Sequence, residues 1–169
     1  SPMRKDSFKT RAVSLTVSLA VFPLSRFRKH YRVFFIEEPL YDAPSRYNAI
    51  YEDPQTGVSV ITPHLPASAK DDPMEKQALF DLFVSSMNIE QMILWYYTPM
   101  AMEFTNHLKP ELIVYDCMDE LSGFKFAPPA LREYEQQLFR KADIVFTGGH
   151  NLYQAKKNQH QNIHPFPSS

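Results

Sequence analysis

Short apolar runs separated by turn residues recur along the chain and predict a series of β-strands. Runs of four to eight apolar residues bounded by Gly, Pro or charged residues are typical of strands that are buried on both faces of a sheet. Residues 39–56 contain several prolines, so we predict a loop there. The predicted strands occupy residues 31–36, 58–62, 92–97, 112–117 and 143–147, and a shorter one begins at Ile163.

Helical patterns alternate with these strands. Asp71-Asp72-Pro73 predicts a helix start, because an acidic cap and a proline in the first turn suit the positive end of a helix. Successive strands separated by helices need crossover connections, so the order from Gly57 onward predicts an α/β fold with a mostly parallel sheet. The predicted helices cover residues 73–88, 98–109, 129–142 and 151–158, and a short one lies within 23–30.

The segment 11–22 has a different pattern, in which Val or Leu alternates with small or hydroxyl residues. Such alternation is typical of a strand with one wet face, and we expect an edge strand. An exposed edge recruits other chains, so residues 12–22 offer a homodimer contact. The basic residues before this segment resemble a signal peptide, but Ser and Thr interrupt its apolar part. Residues 1–10 are expected to be a flexible segment or a cloning remnant.

Composition narrows the function classes. A chain of 169 residues with 44% hydrophobic residues is sufficient for one domain with a proper core. The net charge of −1 gives no global field for nucleic acid, and we predict no nucleic-acid partner. Cys117 is the single cysteine, which excludes an intrachain disulfide and a cysteine zinc site and favours a cytoplasmic location.

Polar residues follow several predicted strands at their carboxyl ends. In open parallel sheets, ligands bind at this edge. Carboxylates accept several hydrogen bonds each, which suits sugar hydroxyls. The alternative is that the acidic residues cap turns and face water. The candidate acceptor-binding residues are Asp116, Asp119, Glu120, Glu37 and Tyr97.

A second candidate lies after the strand 143–147. Gly148, Gly149 and His150 open a predicted helix, where backbone N–H groups bind anions. The alternative is a tight turn that needs glycine. A magnesium site at the acidic cluster is a weaker interpretation, because no second acidic motif accompanies it. We therefore predict neither a metal nor a cofactor.

The stretch Ser25–Arg32 mixes cations with aromatic residues. Such a stretch contacts anionic lipid head groups in peripheral membrane proteins, which would place the protein at the inner face of the membrane. The alternative is an ordinary solvated helix face.

Several of these blocks together resemble the N-terminal domain of GT-B glycosyltransferases of the retaining, family-four type. The likeness covers about residues 25–169. It is carried by Tyr115-Asp116-Cys117-Met118-Asp119-Glu120-Leu121 with the helix after it, by Ala142-Asp143-Ile144-Val145-Phe146-Thr147 with Leu152 and Lys156, by residues 31–39, and by His164-Pro165-Phe166-Pro167-Ser168.

The resemblance implies a Rossmann-like three-layer sandwich over residues 11–163, with 164–169 as the exit linker toward a second domain. In that family the first domain mainly holds the acceptor, here a sugar or glycolipid of envelope or polysaccharide synthesis. The second domain holds the nucleotide-sugar donor with a pair of glutamates. No position of this chain corresponds to that domain, so we expect no turnover by the chain alone and identify no catalytic residue.

This sequence departs from the family pattern in two places. Residues 10–24 do not show the family's usual first strand and its glycine- or Arg-Pro-bearing turn, and they show the alternating Val/Leu pattern instead. Asp116 and Asp119 stand in the region where many relatives have a histidine. One alternative is a non-catalytic α/β interaction domain that self-associates through the N-terminal strand. A receiver-like phosphoacceptor domain is a further alternative, although Gly148-Gly149 stands where such domains have a lysine.

Overall fold

The computed structural model describes residues 13–15 and 25–166, which form one eight-stranded sheet with its helices. The strands are β1 (Val13–Leu15), β2 (Phe34–Ile36), β3 (Tyr47–Glu52), β4 (Ser59–His64), β5 (Ile93–Tyr96), β6 (Leu112–Cys117), β7 (Ile144–Thr147) and β8 (Ile163–Pro165). The α-helices are α1 (Pro73–Ser86), α2 (Met102–Thr105), α3 (Pro129–Lys141) and α4 (His150–Lys156). Single 3-10 turns occur at Arg26–Lys29, Ala67–Ala69, Pro99–Ala101 and Leu121–Gly123.

The strand order in the sheet is β3-β4-β2-β1-β5-β6-β7-β8. The β3–β4 pair is antiparallel, and the other neighbours are parallel. The predicted α/β class with a mostly parallel, Rossmann-like sheet is thereby confirmed. The chain builds outward from β1 in one direction and from β5 in the other, so the topological switch point lies between β1 and β5.

The N-terminal strand is central and not at an edge. Leu15 lies opposite Ile36 of β2 on one side and Tyr96 of β5 on the other. The edge prediction is therefore wrong for residues 13–15, and their backbone has no free side for a dimer contact. The rest of 12–22 lies outside the described residues. The alternation of apolar and polar residues shows only which face of a strand is buried. Whether the strand lies at the edge or in the centre of the sheet depends on neighbouring strands that are distant in sequence.

The predicted loop 39–56 contains β3, so that prediction is wrong for Tyr47–Glu52. The turn into β4 is closed by Asp53, whose carboxylate accepts hydrogen bonds from the Gln55 N–H and the Thr56 hydroxyl, and by Gly57 at φ 65°. The sequence signal was a strand-forming run followed by a Pro- and Gly-bearing turn. As a result, β2 connects to β4 through a hairpin and not through a helix.

The two faces of the sheet are covered differently. The helix face carries the main core, in which alternate strand residues such as Leu94, Tyr96 and Tyr115 pack under α1 to α4. The opposite face, here called the loop face, carries a smaller cluster that includes Phe35 and Trp95. Among the described residues, the turn Arg26–Lys29 covers it, with the Phe27 ring 5.7 Å from Trp95.

The helix starts follow the sequence closely. Asp72 caps α1, and its carboxylate accepts a hydrogen bond from the Met74 N–H at 3.0 Å. Thr98 similarly caps the turn at Pro99, although the helix predicted over 98–109 reduces to that turn and the short α2. Within the described residues, no helix has the length and apolar character needed to cross a membrane.

Candidate functional site

Three predicted site residues lie in one row across the carboxyl edge of the loop face. Tyr96 is opposite Tyr115, and Leu15 is opposite both Ile36 and Tyr96. Ile36, Tyr96 and Tyr115 belong to the helix-face core. The residues that follow them, Glu37, Tyr97 and Asp116, therefore point to the loop face, at the same height along their strands. Glu37 and Tyr97 flank β1 at two strand spacings, about 10 Å. The row thus lies at the topological switch point.

Asp116 is the most perturbed carboxyl group of this row. Its Oδ2 accepts a hydrogen bond from Trp95 Nε1 at 3.2 Å. Burial raises the pKa of Asp116 to about 6, because the charged form loses water, and the hydrogen bond from Trp95 opposes this only in part. The indole of Trp95 is in turn stacked on Phe146, with ring centroids 5.9 Å apart. A carboxyl group with a pKa near neutrality can both accept and donate a proton at physiological pH.

Tyr97 lies next to Asp116 and places a hydrogen-bond donor beside this acceptor. Burial raises the pKa of the Tyr97 hydroxyl, and the negative charge of Asp116 raises it further. The phenol therefore remains protonated and can donate a hydrogen bond where Asp116 accepts one. A neighbouring donor and acceptor suit a ligand rich in hydroxyl groups.

Glu37 extends the row on the far side of β1. Its Oε2 accepts a hydrogen bond from Thr62 Oγ1 at 2.6 Å, which fixes the half-buried side chain. A carboxylate has two oxygens with several acceptor sites, so this bond leaves acceptor capacity for a ligand.

Glu120, in contrast, belongs to a charged network on the helix face. Lys156 Nζ contacts Glu120 Oε1 at 2.7 Å and Glu135 Oε2 at 3.3 Å, and the Tyr115 hydroxyl donates to Glu135 Oε1 at 3.0 Å. Lys156 and Glu135 are each only 5% exposed. Burial alone would lower the pKa of Lys156, but the hydrogen bond to Glu120 and the charge of Glu135 outweigh it and raise that pKa.

The acidic stretch is thus divided between the two faces. Asp116 points to the loop face, whereas Glu120 forms an ion pair with Lys156 of α4 on the helix face. Asp119 is exposed, and its carbonyl oxygen accepts a weak hydrogen bond from Cys117 Sγ at 3.7 Å. The structure brings Asp116 together with Tyr97 but not with Glu120, so acceptor binding by Asp119 and Glu120 stays a prediction.

The Gly148–His150 segment joins the ends of β6 and β7. The Gly148 N–H donates to the Cys117 carbonyl oxygen at 3.0 Å, and a Cβ at Gly148 would lie 2.6 Å from the Met118 carbonyl oxygen. Glycine is therefore required for this close approach. A Cβ at Gly149 would meet open space, and His150 is exposed at the start of α4. Because the Gly148 N–H is already used, anion binding by this segment stays a prediction.

Sequence reasoning missed two contributors at the same edge. Trp95 was not among the predicted site residues, although it lies two residues before Tyr97 and therefore on the same face of the strand. His64 also lies on the loop face, because it is two residues after Thr62 in β4. Its Nδ1 is 2.7 Å from Asp42 Oδ1, and its ring stacks on Tyr47 at 4.5 Å. The Asp42 contact could not be read from sequence, because loop residues 40–46 carry no periodic signal.

Two cations of the stretch Ser25–Arg32 have structural contacts. Arg28 donates to the Thr56 carbonyl oxygen, and Arg32 donates to the Met87 carbonyl oxygen and lies over the Phe34 ring. Arg26, Lys29 and His30 are exposed. Membrane contact through this stretch stays a prediction. In the described part of the chain, no three His, Cys, Asp or Glu side chains are grouped so as to hold a metal ion.

Solved structures that match this chain have the same α/β architecture. The sucrose-phosphate synthase of Thermosynechococcus elongatus matches with a TM-score of 0.64 and 6% identity, over 93% of this chain and 48% of that chain. A shorter chain of the same enzyme gives a TM-score of 0.59 and 8% identity, over 94% and 90%. The trehalose 6-phosphate synthase of Burkholderia multivorans gives 0.53 and 10%, over 89% and 43%.

These similarities establish the architecture and not the activity, because identity is so low. The chain spans about half the length of the sucrose-phosphate synthase and trehalose 6-phosphate synthase chains that it matches, 48% and 43%. The sequence matches no family model and no curated protein.

Proposed function

We propose that this chain is the acceptor-binding half of a GT-B-type glycosyltransferase. The observation that carries the proposal is the row Glu37, Tyr97 and Asp116 at the switch point of a doubly wound sheet. Ligands of such sheets bind outside the carboxyl ends of the strands at this point. The row offers a phenol donor and two carboxylates, which suits a sugar acceptor.

Asp116 is the centre of the proposed acceptor site. With a pKa of about 6, it is mostly ionised at pH 7 and accepts a hydrogen bond from an acceptor hydroxyl. Trp95 orients its carboxylate, and Tyr97 donates to a neighbouring sugar oxygen. Glu37, held by Thr62, binds a more distant hydroxyl, about 10 Å along the row from Tyr97.

The likeness to two sugar-phosphate synthases supports this proposal, since the chain matches about half of each of those enzymes. On this proposal, a second α/β domain supplies the nucleotide-sugar and faces the carboxyl edge. The protein then works in the cytoplasm, where Arg26 and Lys29 face solvent and are available for the inner membrane surface.

Amide chemical shifts in a ¹⁵N-labelled chain test acceptor binding. The probes are sucrose, trehalose, their phosphates and a panel of other mono- and disaccharides. We expect shifts that centre on Glu37, Tyr97 and Asp116, and at least a tenfold loss of affinity in Asp116→Asn. Glu90→Gln, an exposed change outside the predicted site, is the control and should bind as the original chain does. Shifts confined to the helix face, or none with any sugar, would contradict the proposal.

Turnover tests the division of labour between the two halves. The 169-residue chain alone, given UDP-glucose and an acceptor that binds, should release no UDP, because on this proposal it forms only the acceptor-binding half. Release of UDP by the chain alone would overturn the claim. Sequencing the coding region past Ser169 is an independent check, and an open frame encoding a second α/β domain is the expected result.

A further inference from the structure

The two outer strands of the sheet differ in how well they are protected. The β8 edge has three residues, and one of them is Pro165, which cannot donate to a neighbouring strand. The β3 edge has six residues and contains neither Lys nor Pro. Three of its large side chains are about half exposed or more: Tyr47 (49%), Ile50 (53%) and Tyr51 (61%). Exposed edges of this kind pair with other strands.

The backbone groups that point outward from β3 follow from its register with β4. The Asp53 N–H donates to the Val58 carbonyl oxygen at 2.9 Å, so this is a hydrogen-bonded pair. Hydrogen-bonded pairs alternate along an antiparallel ladder. Tyr47, Ala49 and Tyr51 therefore bond toward β4. The N–H and C=O groups of Asn48, Ile50 and Glu52 point away from the sheet.

The sequence around β3 is complementary to itself. It reads Arg46-Tyr47-Asn48-Ala49-Ile50-Tyr51-Glu52. If a second copy pairs in the antiparallel sense about Ala49, each tyrosine lies opposite a tyrosine and each arginine opposite a glutamate. The same alignment sets the outward groups of Asn48 opposite those of Ile50, which is the condition for ladder hydrogen bonds. Aromatic pairs and opposite charges are favourable cross-strand neighbours.

We propose that the β3 edge is a dimer interface, in which β3 of one copy pairs antiparallel with β3 of a second copy about a two-fold axis at Ala49. Two eight-stranded sheets would then join into one continuous sheet. Such a contact is isologous, because both copies use the same β3 edge. It is also closed, because neither β3 edge is then left to pair with a third copy. Within the described residues, Glu52 forms no ion pair, and Arg46 binds Glu75 at 2.9 Å through one of its five donors.

The interface leaves the acceptor row open and does not depend on the proposed function. Asp116 lies on β6, five strands from β3 in the sheet, which is about 24 Å. The Tyr47 ring is already held flat against His64 at 4.5 Å, so its other face is presented to Tyr51 of the second copy.

Sedimentation velocity across a range of concentrations tests the dimer by charge reversal. All charge variants carry Glu75→Gln, so that Arg46 loses its ion pair with Glu75. Glu52→Arg places like charges opposite each other twice and should weaken the dimer roughly tenfold or more. Adding Arg46→Glu restores opposite charges and should recover most of the loss. Glu90→Arg, an exposed reversal away from this edge, is the matched control.

Cysteine cross-linking tests the register. Residues that are opposite in a non-hydrogen-bonded antiparallel pair lie about 4.5 Å apart at Cα, within the range of a disulfide. Ala49→Cys should therefore form a disulfide-linked dimer under mild oxidation, and Ile50→Cys should not. The original chain is the control, since its single cysteine, Cys117, is buried.

Three outcomes would overturn the proposal. The first is a monomer at every concentration with no Ala49→Cys cross-link. The second is a dimer that is insensitive to Glu52→Arg, or cross-linking through Ile50→Cys and not Ala49→Cys. The third is open-ended association with no stable dimer, which would identify the edge as an aggregation site and not a closed interface.

Discussion

Asp116 and Glu120 lie four residues apart, but their carboxylates lie on opposite faces of the sheet, one beside a neutral donor and the other beside a cation. Glu120 contacts the buried ammonium of Lys156 at 2.7 Å, and that cation also serves Glu135. Asp116 is partly buried, its one side-chain donor among the described residues is the neutral Trp95, and its pKa is raised to about 6. One carboxylate thus stabilises the fold, and the other costs stability at neutral pH. Costly ionisable groups at a strand end are typical of functional sites.

Removal of Lys156 should have the largest effect on stability. Lys156→Met leaves the Glu135 carboxylate buried without its cation, and we expect a loss of about 4 kcal/mol in the free energy of unfolding. Urea denaturation measures it. Lys157→Met, an exposed neighbour, should change stability by less than about 0.5 kcal/mol. Adding Glu135→Gln to Lys156→Met should recover part of the loss, and no recovery would show that the buried charge is not the cause.

A methyl group at Gly148 should have the next largest effect. The Cβ would lie 2.6 Å from the Met118 carbonyl oxygen, so Gly148→Ala should push the ends of β6 and β7 apart at a cost of about 2–3 kcal/mol. Gly149→Ala meets open space and is the matched control. Thermal denaturation of the two variants checks this, and equal melting temperatures would contradict the close approach.

Replacement of Asp116 should stabilise the protein and weaken acceptor binding at least tenfold. The folded pKa of about 6 lies above the value near 4 of an unfolded aspartate, so the folded state binds the proton more tightly. The stability of the original chain should therefore rise, through this group, as pH falls from about 7 to 4. Asp116→Asn should gain about 2 kcal/mol at pH 8 and almost nothing at pH 4. Urea denaturation at pH 8 and at pH 4 measures both values, and an equal change at the two pH values would contradict the raised pKa of Asp116.

The smallest expected effect is at the far end of the row. Thr62→Val removes the 2.6 Å hydrogen bond to Glu37 and should cost about 1 kcal/mol. Thr62→Ser keeps the hydroxyl and should cost less. If sugar binding weakens with Thr62→Val but not with Thr62→Ser, then Thr62 positions Glu37 for the acceptor. Identical sugar affinity in both variants would remove Glu37 from the site.

Local patterns were sufficient where a single segment carries the whole signal. Asp72 and Pro73 start α1 because a side-chain acceptor and a residue without an N–H satisfy the first turn from within the segment. The buried runs of β5, β6 and β7 and the helices between them gave the mostly parallel α/β fold for a similar reason. The strand-end position of Asp116 and of Tyr97 also follows from the chain itself.

Only the tertiary structure decided which residues share a site. The central place of β1 depends on β2 and β5, because hydrogen bonding between strands joins residues that are far apart in sequence. The separation of Asp116 from Glu120 depends on Lys156, which lies 36 residues beyond Glu120. The sequence by itself determined the elements and the residues at their ends. The pairing of the strands determined their neighbours, since burial and electrostatic partners are properties of the assembled sheet.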